Sequence, residues 1–218
     1  MKIGITQRVE VMPATGERRD CLDQAWVPLL CRWGFTPVPI PNSPENVESL
    51  VVNFELQGVL FSGGNDLAHL EGASNCAPER DETETQLLDL CRRLDLPTIG
   101  VCRGMQIMVF HHGGCVTPIE QHVGGRHSLK VSAHGVRLGL RDRREVNSFH
   151  NYGVLEENLG SELIPLAYAP DGSVEAIAHT TLNRVAILWH PERLPDDPRD
   201  RDLLSAVFLS EKSSKRRF

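Results

Sequence analysis

The sequence predicts an α/β protein with a central, mostly parallel sheet, helices on both faces of that sheet, and a strand-rich carboxyl half. The chain has 218 residues with 40% apolar content, which is enough for a sizeable core within one domain. In the amino half, short apolar runs alternate with amphipathic stretches, which is the pattern of parallel strands joined by helices. After residue 114, strand-like runs follow one another and turn signals separate them.

The amino half contains four strand signals and three helix signals. The apolar runs KIGIT, TPVPI, GVLFSGG and TIGV are short, and the two glycines that end the third run mark a turn. Apolar residues recur at helical spacing over 22–33, 43–54 and 87–94. Gly34 ends the first of these helices, and Ser43 is placed to cap the second ahead of Pro44.

The carboxyl half contains the strand-like runs SLKVS, SVEAIAH and RVAILWH, and a final amphipathic stretch, DRDLLSAVFLS, predicts a closing helix. No internal repeat or linker interrupts the chain. We therefore expect one domain over residues 1–209, followed by a basic, flexible tail at 210–218.

Charge and composition argue against several classes of protein. A net charge of −6 and a pI near 5.8 give no basic surface for nucleic acid. The amino terminus becomes charged within a few residues, and no run of about 18 apolar residues occurs, so neither a signal peptide nor a membrane span is expected. The six cysteines form no CxxC pair, which predicts free thiols in a cytoplasmic protein.

Cys102 is the candidate nucleophile. It follows the predicted strand TIGV, precedes a helix, and lies between Gly100 and Gly104 in a G-x-C-x-G pattern. In such an elbow, a tight turn exposes the nucleophile, glycines avoid collisions, and the helix start favours the thiolate. The alternative interpretation is a buried cysteine beside turn glycines, so the sequence must also supply a base.

The segments VAILWHPE and FSGGND supply the remaining parts of a nucleophilic site. The first delivers His190 to a strand end, where Glu192 is placed to orient its imidazole. In the second, Gly63 and Gly64 leave backbone N–H groups uncovered, and the N–H of Arg103 is the usual second donor for an oxyanion. Alone, the two glycines would indicate only a tight turn.

The motifs SGGND, GVCRGMQ and WHPE, in this order and at these separations, resemble those of the class I glutamine amidotransferase superfamily, whose fold is flavodoxin-like. The resemblance covers about residues 1–209. Arg103 and the segment RDETE at 80–84 favour the free-standing γ-glutamyl hydrolase branch, of the peptidase C26 type. This branch implies a cysteine-dependent hydrolase that cleaves a γ-glutamyl amide through a glutamyl thioester.

The resemblance also implies the role of each site residue. Cys102 would attack the γ-glutamyl carbonyl, His190 would transfer the proton, and Glu192 would orient His190. Gly64 and Arg103 would form the oxyanion hole. The residues expected around the glutamyl group are Gly63, Asn65, Gln106, Ser148, Phe149 and His150.

The identity of the leaving group is a separate question. The SFHNYG loop resembles short members of the branch that remove glutamate from a γ-glutamyl nucleotide phosphoramidate, γ-glutamyl-CDP-amidate, in capsule-polysaccharide assembly. Arg80, Arg126 and His127 are candidates to bind its phosphate, because guanidinium groups pair with phosphate oxygens. The alternative is ordinary surface charge.

No cofactor or catalytic metal is expected. His111 and His112 are adjacent on a predicted helix and point to different sides, and His122, His127 and His134 have no recognisable ligand spacing.

Three classes of function stay open at this point. A hydrolase would act alone on a small γ-glutamyl amide, a glutaminase subunit would supply ammonia to a separate synthase partner, and a binding protein would lack part of the triad. A homodimer is also compatible with the sequence, whereas nucleic acid and membrane partners are not expected.

Overall fold

The structure, a computed structural model, describes residues 1–141, 144–194 and 197–209. The tail predicted at 210–218 lies outside the described residues. The strands are β1 Lys2–Thr6, β2 Arg8–Val11, β3 Arg18–Cys21, β4 Thr36–Ile40, β5 Gly58–Phe61, β6 Thr98–Val101, β7 Thr117–Pro118, β8 Val123–Ser128, β9 Lys130–Val131, β10 Glu145–Phe149, β11 Tyr152–Gly153, β12 Leu163–Tyr168, β13 Val174–His179 and β14 Arg184–Ile187. The helices are α1 Trp26–Arg32, α2 Val47–Asn53, α3 Pro78–Arg93, α4 Arg103–His111, α5 Ala133–Arg137 and α6 Pro198–Phe208.

An eight-stranded sheet forms the centre of the molecule, with strand order β4-β1-β5-β6-β14-β13-β12-β9. The pairs from β4 to β14 are parallel, and those from β14 to β9 are antiparallel. Every residue of β5, β6 and β14 is buried, as expected for strands covered on both faces. The predicted α/β class, with a mostly parallel sheet and a strand-rich carboxyl half, is confirmed.

Two hydrophobic clusters cover the two faces of the sheet. Helices α1 and α6 pack on one face with Trp26 and Leu204, and helices α2, α3 and α4 pack on the other with Leu87 and Met105. The alternation of strand side chains explains this division, because adjacent residues of β5 point in opposite directions. Leu60 belongs to the first cluster and Phe61 to the second.

The pairing of β6 with β14 brings the two predicted catalytic segments together. These strands are parallel, and Val101 pairs with Ile187 at their carboxyl ends. Cys102 and His190 follow these ends, so they emerge at the same edge of the sheet. Helix α6 is hydrogen-bonded to the segment that carries His190, because Trp189 donates its indole N–H to Asp200 Oδ1 at 2.9 Å.

Some elements differ from the sequence prediction. The hairpin of β2 and β3 was not predicted, because its exposed, charged residues show no buried alternation. Strand β12 was not predicted either, because it contains Pro165 and proline weakens a strand signal. The register of β12 with β13 shifts at this proline. The segment predicted as a helix at 43–54 starts as a 3₁₀ turn at Pro44–Asn46 before α2 begins.

The predicted cap at Ser43 is wrong. Its hydroxyl donates to Glu45 Oε1 and accepts from Asn46 Nδ2, both at 2.8 Å, and it makes no capping hydrogen bond to a backbone N–H. Within the described residues, no helix is both long enough and apolar enough to span a bilayer.

Candidate active site

Cys102 occupies a strained turn between β6 and α4. Its backbone has φ 52° and ψ −107°, a sparsely populated conformation for a residue with a side chain, and such strain is typical of functional sites. The Cys102 N–H donates to Ile187 O at 2.8 Å, which ties the turn to β14. The predicted elbow geometry is therefore present.

The two glycines of the elbow are required by close packing. A Cβ at Gly100 would lie 2.5 Å from Gly104 O, and a Cβ at Gly104 would lie 2.1 Å from Phe61 O. Both positions therefore exclude any side chain. This confirms the steric reason for the G-x-C-x-G pattern, although the collisions are with the backbone of the elbow itself and with β5.

His190 and Glu192 form a short hydrogen bond on the neighbouring segment. The imidazole Nδ1 lies 2.6 Å from Glu192 Oε1, so that Nδ1–H donates to the carboxylate and Nε2 is directed away from it. Nε2 has no hydrogen-bond partner among the described residues. The negative charge of the nearby Cys102 raises the pKa of this imidazole. The structure therefore brings the three predicted triad residues together.

Asn147 on β10 holds the backbone of His190, a role that the sequence analysis missed. Its Nδ2 donates to His190 O at 2.9 Å, and its Oδ1 accepts from His190 N at 2.8 Å. Asn147 is buried and pairs with both main-chain groups of the residue that carries the imidazole. The only sequence signal is a polar residue at a buried position of a strand, next to the SFHNYG loop.

The thiol and the imidazole shift each other's pKa toward an ion pair. Burial is the largest effect on the pKa of the Cys102 thiol and raises it, but the charges of the neighbouring His190 and His150 together outweigh burial, and the pKa falls below its ordinary value. Burial opposes protonation of His190, yet Cys102 and Glu192 together raise its pKa to about 10. Both shifts favour a thiolate beside an imidazolium, and the thiolate is the reactive form of cysteine.

The loop after β5 faces this pair with uncovered backbone donors. A Cβ at Gly63 would lie 2.8 Å from His190 Cε1, and Gly64 has φ +86°, so this loop needs glycine for both space and conformation. The N–H groups of Gly64 and Arg103 make no hydrogen bond to the part of the chain that the structure describes. They are available to a developing oxyanion, as the sequence predicts.

Arg80 does not lie where a leaving group could reach it. It is fully buried on α3, and its guanidinium donates to the carbonyls of Ser62 at 2.7 Å, Gly63 at 3.1 Å and Gly64 at 2.5 Å. Its Nε donates to Glu84 Oε1 at 2.9 Å. The phosphate contact expected from the sequence does not fit this position. Arg80 instead fixes the carbonyls of the loop so that its N–H groups point the other way.

The side chain of Arg103 extends the same buried network. Its guanidinium pairs with Glu84 and with Asp81, and Glu84 thereby bridges Arg80 and Arg103. Burial by itself raises the pKa of Glu84, but the two arginines outweigh it and hold the pKa below its ordinary value. The RDETE segment therefore joins the glycine loop to the start of α4 through charges.

Of the residues expected around a glutamyl group, three are buried near the elbow and a fourth, Phe149, is exposed. Gln106, Ser148 and His150 are buried near the elbow, where Gln106 Nε2 donates to Tyr152 O at 3.1 Å and Ser148 Oγ lies 3.2 Å from His150 Nε2. Phe149 is 41% exposed and its ring edge lies against His190, with centroids 5.9 Å apart.

Asn65 belongs to a different arrangement. Its amide accepts from Val9 N at 2.8 Å and donates to Val9 O at 2.9 Å, so it anchors the β2–β3 hairpin to the glycine loop. A second bond from Nδ2, to Asn75 Oδ1 at 3.0 Å, uses its other donor. This side chain does not fit the substrate contact that the resemblance implies.

Arg126 and His127 lie on β8, and the structure places them in different surroundings. Arg126 is exposed, as in the surface-charge interpretation. His127 Nε2 instead lies 3.4 Å from Glu175 Oε2, and Glu175 is fully buried on β13. His122 and His150 face the same carboxylate. Burial by itself raises the pKa of Glu175, but its histidine neighbours outweigh this and lower it. A carboxylate inside the apolar run SVEAIAH was the missed signal.

Two groups of side chains among the described residues have ligand atoms close enough to share a metal ion. One consists of His122, His127 and Glu175. The other consists of His112, Glu162 and His179. In both groups, the ligand atoms lie within 4.8 Å of one another. Neither grouping was predicted, because strand pairing brings together residues that are far apart in the sequence.

Comparison with known proteins gives related sequences that cover most of the chain. The γ-glutamyl-CDP-amidate hydrolase of Campylobacter jejuni subsp. jejuni serotype O:2 is 32% identical over 88% of this chain and 90% of its own length. The γ-glutamyl-γ-aminobutyrate hydrolase of Escherichia coli O157:H7 is 26% identical over 81% of this chain and 80% of its own.

Solved structures and a family model agree with these relatives. A glutamine amidotransferase from Thermotoga maritima matches with a TM-score of 0.70 at 14% identity, over 96% of this chain and 98% of that one, which shows the same fold. The family model of Peptidase C26 matches residues 2–192, a range that includes the elbow, the glycine loop and His190 with Glu192. The chain belongs to the Peptidase C26 family.

Proposed function

We propose that this protein is a cysteine-dependent hydrolase that cleaves a γ-glutamyl amide bond and releases glutamate. The observation that carries the proposal is the juxtaposition of the strained Cys102 with His190, whose Nδ1 lies 2.6 Å from Glu192 Oε1. The two relatives named above, both γ-glutamyl amide hydrolases by name, support the choice of the glutamyl side of the substrate.

In the first half-reaction, the Cys102 thiolate attacks the γ-carbonyl carbon and the carbonyl π electrons move to oxygen. The N–H groups of Gly64 and Arg103 stabilise this oxyanion, a contribution that is typically about 3 kcal/mol for each donor. When the oxyanion collapses, the C–N bond breaks and the imidazolium of His190 protonates the leaving nitrogen. The products are an amine-type leaving group and a glutamyl thioester on Cys102.

In the second half-reaction, His190 is neutral and removes a proton from water, whose oxygen attacks the thioester carbon. The same two N–H groups receive the second oxyanion. Its collapse breaks the C–S bond, so that Cys102 leaves as a thiolate and His190 is again protonated. Glu192 holds the imidazole in the required tautomer through both steps. The chain's own residues account for every proton transfer.

For the leaving group, we propose a phosphoramidate of the kind named in the Campylobacter jejuni relative. Two arginines, Arg8 on β2 and Arg193 after Glu192, line a cavity of about 20 Å³ beside Gly63, Gly64 and His190. Arg8 Nε is buried and has no hydrogen-bond partner among the described residues. This volume holds about one water-sized group, which fits a phosphoryl oxygen with the remainder of the nucleotide over the exposed rim.

The test of the reaction uses the purified protein alone with γ-glutamyl-CDP-amidate, γ-glutamyl-γ-aminobutyrate and glutamine. We expect glutamate release and a glutamyl adduct on Cys102 in mass spectra of the quenched reaction. Cys102→Ala should abolish both with an unchanged circular dichroism spectrum. Full activity of Cys102→Ala would contradict the proposal.

The leaving-group assignment has its own test. Arg8→Gln and Arg193→Gln should raise KM for the phosphoramidate by about tenfold, as for the loss of one charge-assisted hydrogen bond, and leave KM for γ-glutamyl-γ-aminobutyrate unchanged. Equal effects on both substrates would contradict the phosphate contact.

A glutaminase subunit would give a different result in the same assay. It would release ammonia from glutamine slowly until a synthase partner is added, and relatives named as GMP synthase and carbamoyl phosphate synthase small chain keep this alternative open. Rapid turnover of a γ-glutamyl amide by the isolated chain favours the hydrolase.

A further inference from the structure

The reaction proposed above uses none of the three residues of the cluster formed by His122, His127 and Glu175. We propose that this cluster is a binding site for a divalent transition metal of the Zn²⁺ class. His122 and Glu175 are buried and His127 is half-buried on the exposed strand β8, which leaves an entry route from solvent. The proposal does not depend on the reaction assigned to Cys102.

The separations in this cluster match a coordination sphere better than hydrogen bonds. His127 Nε2 lies 3.4 Å from Glu175 Oε2, and His122 Nδ1 lies 3.6 Å from Glu175 Oε1. Hydrogen bonds between these groups would be about 2.7–2.9 Å long. Ligands about 2.0–2.1 Å from a tetrahedral Zn²⁺ are separated from one another by about 3.3 Å. A water would complete the four ligands.

The carboxylate of Glu175 accepts no hydrogen bond from the described residues. The residue is 0% exposed, and neither carboxylate oxygen has a hydrogen-bond partner among the described residues. The same holds for His127 Nε2. A buried carboxylate without hydrogen-bond donors is unfavourable unless positive charge lies beside it, and here either protonated imidazoles or a bound cation would supply that charge. Three atoms with lone pairs therefore converge on a space that a cation would fill.

A hydrogen bond to Asp171 fixes His122 in the tautomer that a metal ligand needs. His122 Nε2 lies 2.9 Å from Asp171 Oδ2, so Nε2–H donates to that carboxylate and Nδ1 keeps a lone pair, 3.6 Å from Glu175 Oε1 and 3.3 Å from Ser148 Oγ. The Ser148 hydroxyl donates its proton to His122 O at 2.7 Å, so it does not occupy this lone pair. A carboxylate behind a ligating histidine is the usual second layer of a metal site. His150 also leaves Nε2 toward Glu175, at 3.5 Å from Oε1, because its Nδ1 lies 3.0 Å from Tyr152 O.

The other histidine group of the molecule lacks these features. In the group of His112, Glu162 and His179, the Arg184 guanidinium donates to His112 Nε2 at 2.9 Å and occupies its lone pair. Burial and the charge of Arg184 also lower the pKa of His112 to about 3, which shows that this site disfavours positive charge. We expect no metal there, and His179 serves as a matched control.

The test titrates Zn²⁺ into metal-free protein that carries Cys102→Ala, because the active-site thiolate would itself bind zinc. After removal of unbound metal, elemental analysis should give about one Zn²⁺ per chain. His179→Gln in the same background should retain it, whereas Glu175→Gln and His127→Gln should lose it. Asp171→Asn should weaken binding by about 10–100-fold, as expected for an outer-layer partner.

Co²⁺ identifies the donor atoms in the same protein. We expect visible bands without the near-ultraviolet absorption of a cobalt–thiolate bond, since this site offers only nitrogen and oxygen. His127→Gln keeps the test valid if Glu175→Gln unfolds, because His127 is half-buried at the surface. Absence of binding to the Cys102→Ala protein, binding that survives His127→Gln, or loss in His179→Gln would overturn the proposal. The first of these outcomes would mean that protonated imidazoles alone balance Glu175.

Discussion

At the scale of single residues, the proposed chemistry depends on a cysteine whose pKa is set by opposing effects of burial and neighbouring charge. Burial is the largest single effect on the thiol pKa and raises it, but His190 and His150 together lower the pKa below its ordinary value. The proposed reactivity of the thiol therefore depends on residues that are remote in sequence, and not on exposure of the thiol. A reaction rate that reports the thiolate fraction separates these two explanations.

Alkylation by iodoacetamide should follow this pKa. In the native protein, Cys102 should react at pH values below the ordinary thiol range of about 8.5, and His190→Gln should move the midpoint of the rate profile upward. Peptide mass spectrometry measures each site separately, and the exposed Cys31 in the same digest reports the reagent dose. A midpoint that does not change in His190→Gln would contradict the ion pair.

Arg80 acts one layer away from the reacting atoms, as a positioning residue for the glycine loop. Arg80→Lys keeps the charge beside Glu84 but loses the fork that binds three carbonyls, so kcat should fall by about tenfold or more with a small change in KM. Arg93→Lys, on the same helix but exposed, is the matched control. A rise in KM with an unchanged kcat would instead indicate direct contact with substrate.

At the scale of elements, close packing between α4 and β5 places the start of the helix beneath the nucleophile. Gly104→Ala would put its methyl group within 2.1 Å of Phe61 O, so the free energy of unfolding should fall by about 3 kcal/mol, at the upper end for overpacking. Gly125→Ala, where no heavy atom lies within 4 Å of the added Cβ, should change it by less than about 0.5 kcal/mol. Urea denaturation measures both, and equal values would contradict this packing argument.

The elements also show what the sequence could predict and what it could not. Strands β1, β5 and β6 could be predicted from the sequence, because a parallel strand buried on both faces is a short apolar run. The elbow and the WHPE segment were readable because each needs particular residue types at fixed local spacing.

Contacts between distant segments were not readable in this way. The clamp of Asn147 on His190, the attachment of Arg80 to the glycine loop and the gathering of histidines around Glu175 each join residues from different elements. Local periodicity carries no information about such pairs. The same limit explains why Arg80 and Asn65 were expected at the substrate. Each lies in a motif that the family shares, but the tertiary fold decides which buried groups their side chains contact.

At the scale of the whole molecule, a buried network of two arginines and acidic residues links α3, α4 and the loop after β5. Its stability should depend on pH through Glu84, whose folded pKa lies below its unfolded value near 4.3. Such a group stabilises the fold fully above the unfolded pKa, and this contribution is lost as the pH falls through the folded pKa.

The midpoint temperature of thermal unfolding should therefore decline between pH 7 and pH 3, and Glu84→Gln should make this decline smaller. This variant should also be less stable at pH 7, because two buried arginines lose their shared partner. Glu48→Gln, which removes an exposed partner of Arg93, should leave the profile unchanged. Identical acid profiles for the wild-type and Glu84→Gln proteins would contradict a stabilising Glu84 carboxylate.

The register between β6 and β14 has a consequence for the newly made chain. During synthesis the cysteine leaves the ribosome before its imidazole neighbour, and until the later strand enters the sheet that imidazole cannot lower the pKa of the sulfur. We therefore expect the thiol to reach its full reactivity only when β14 docks beside β6 and completes the centre of the sheet.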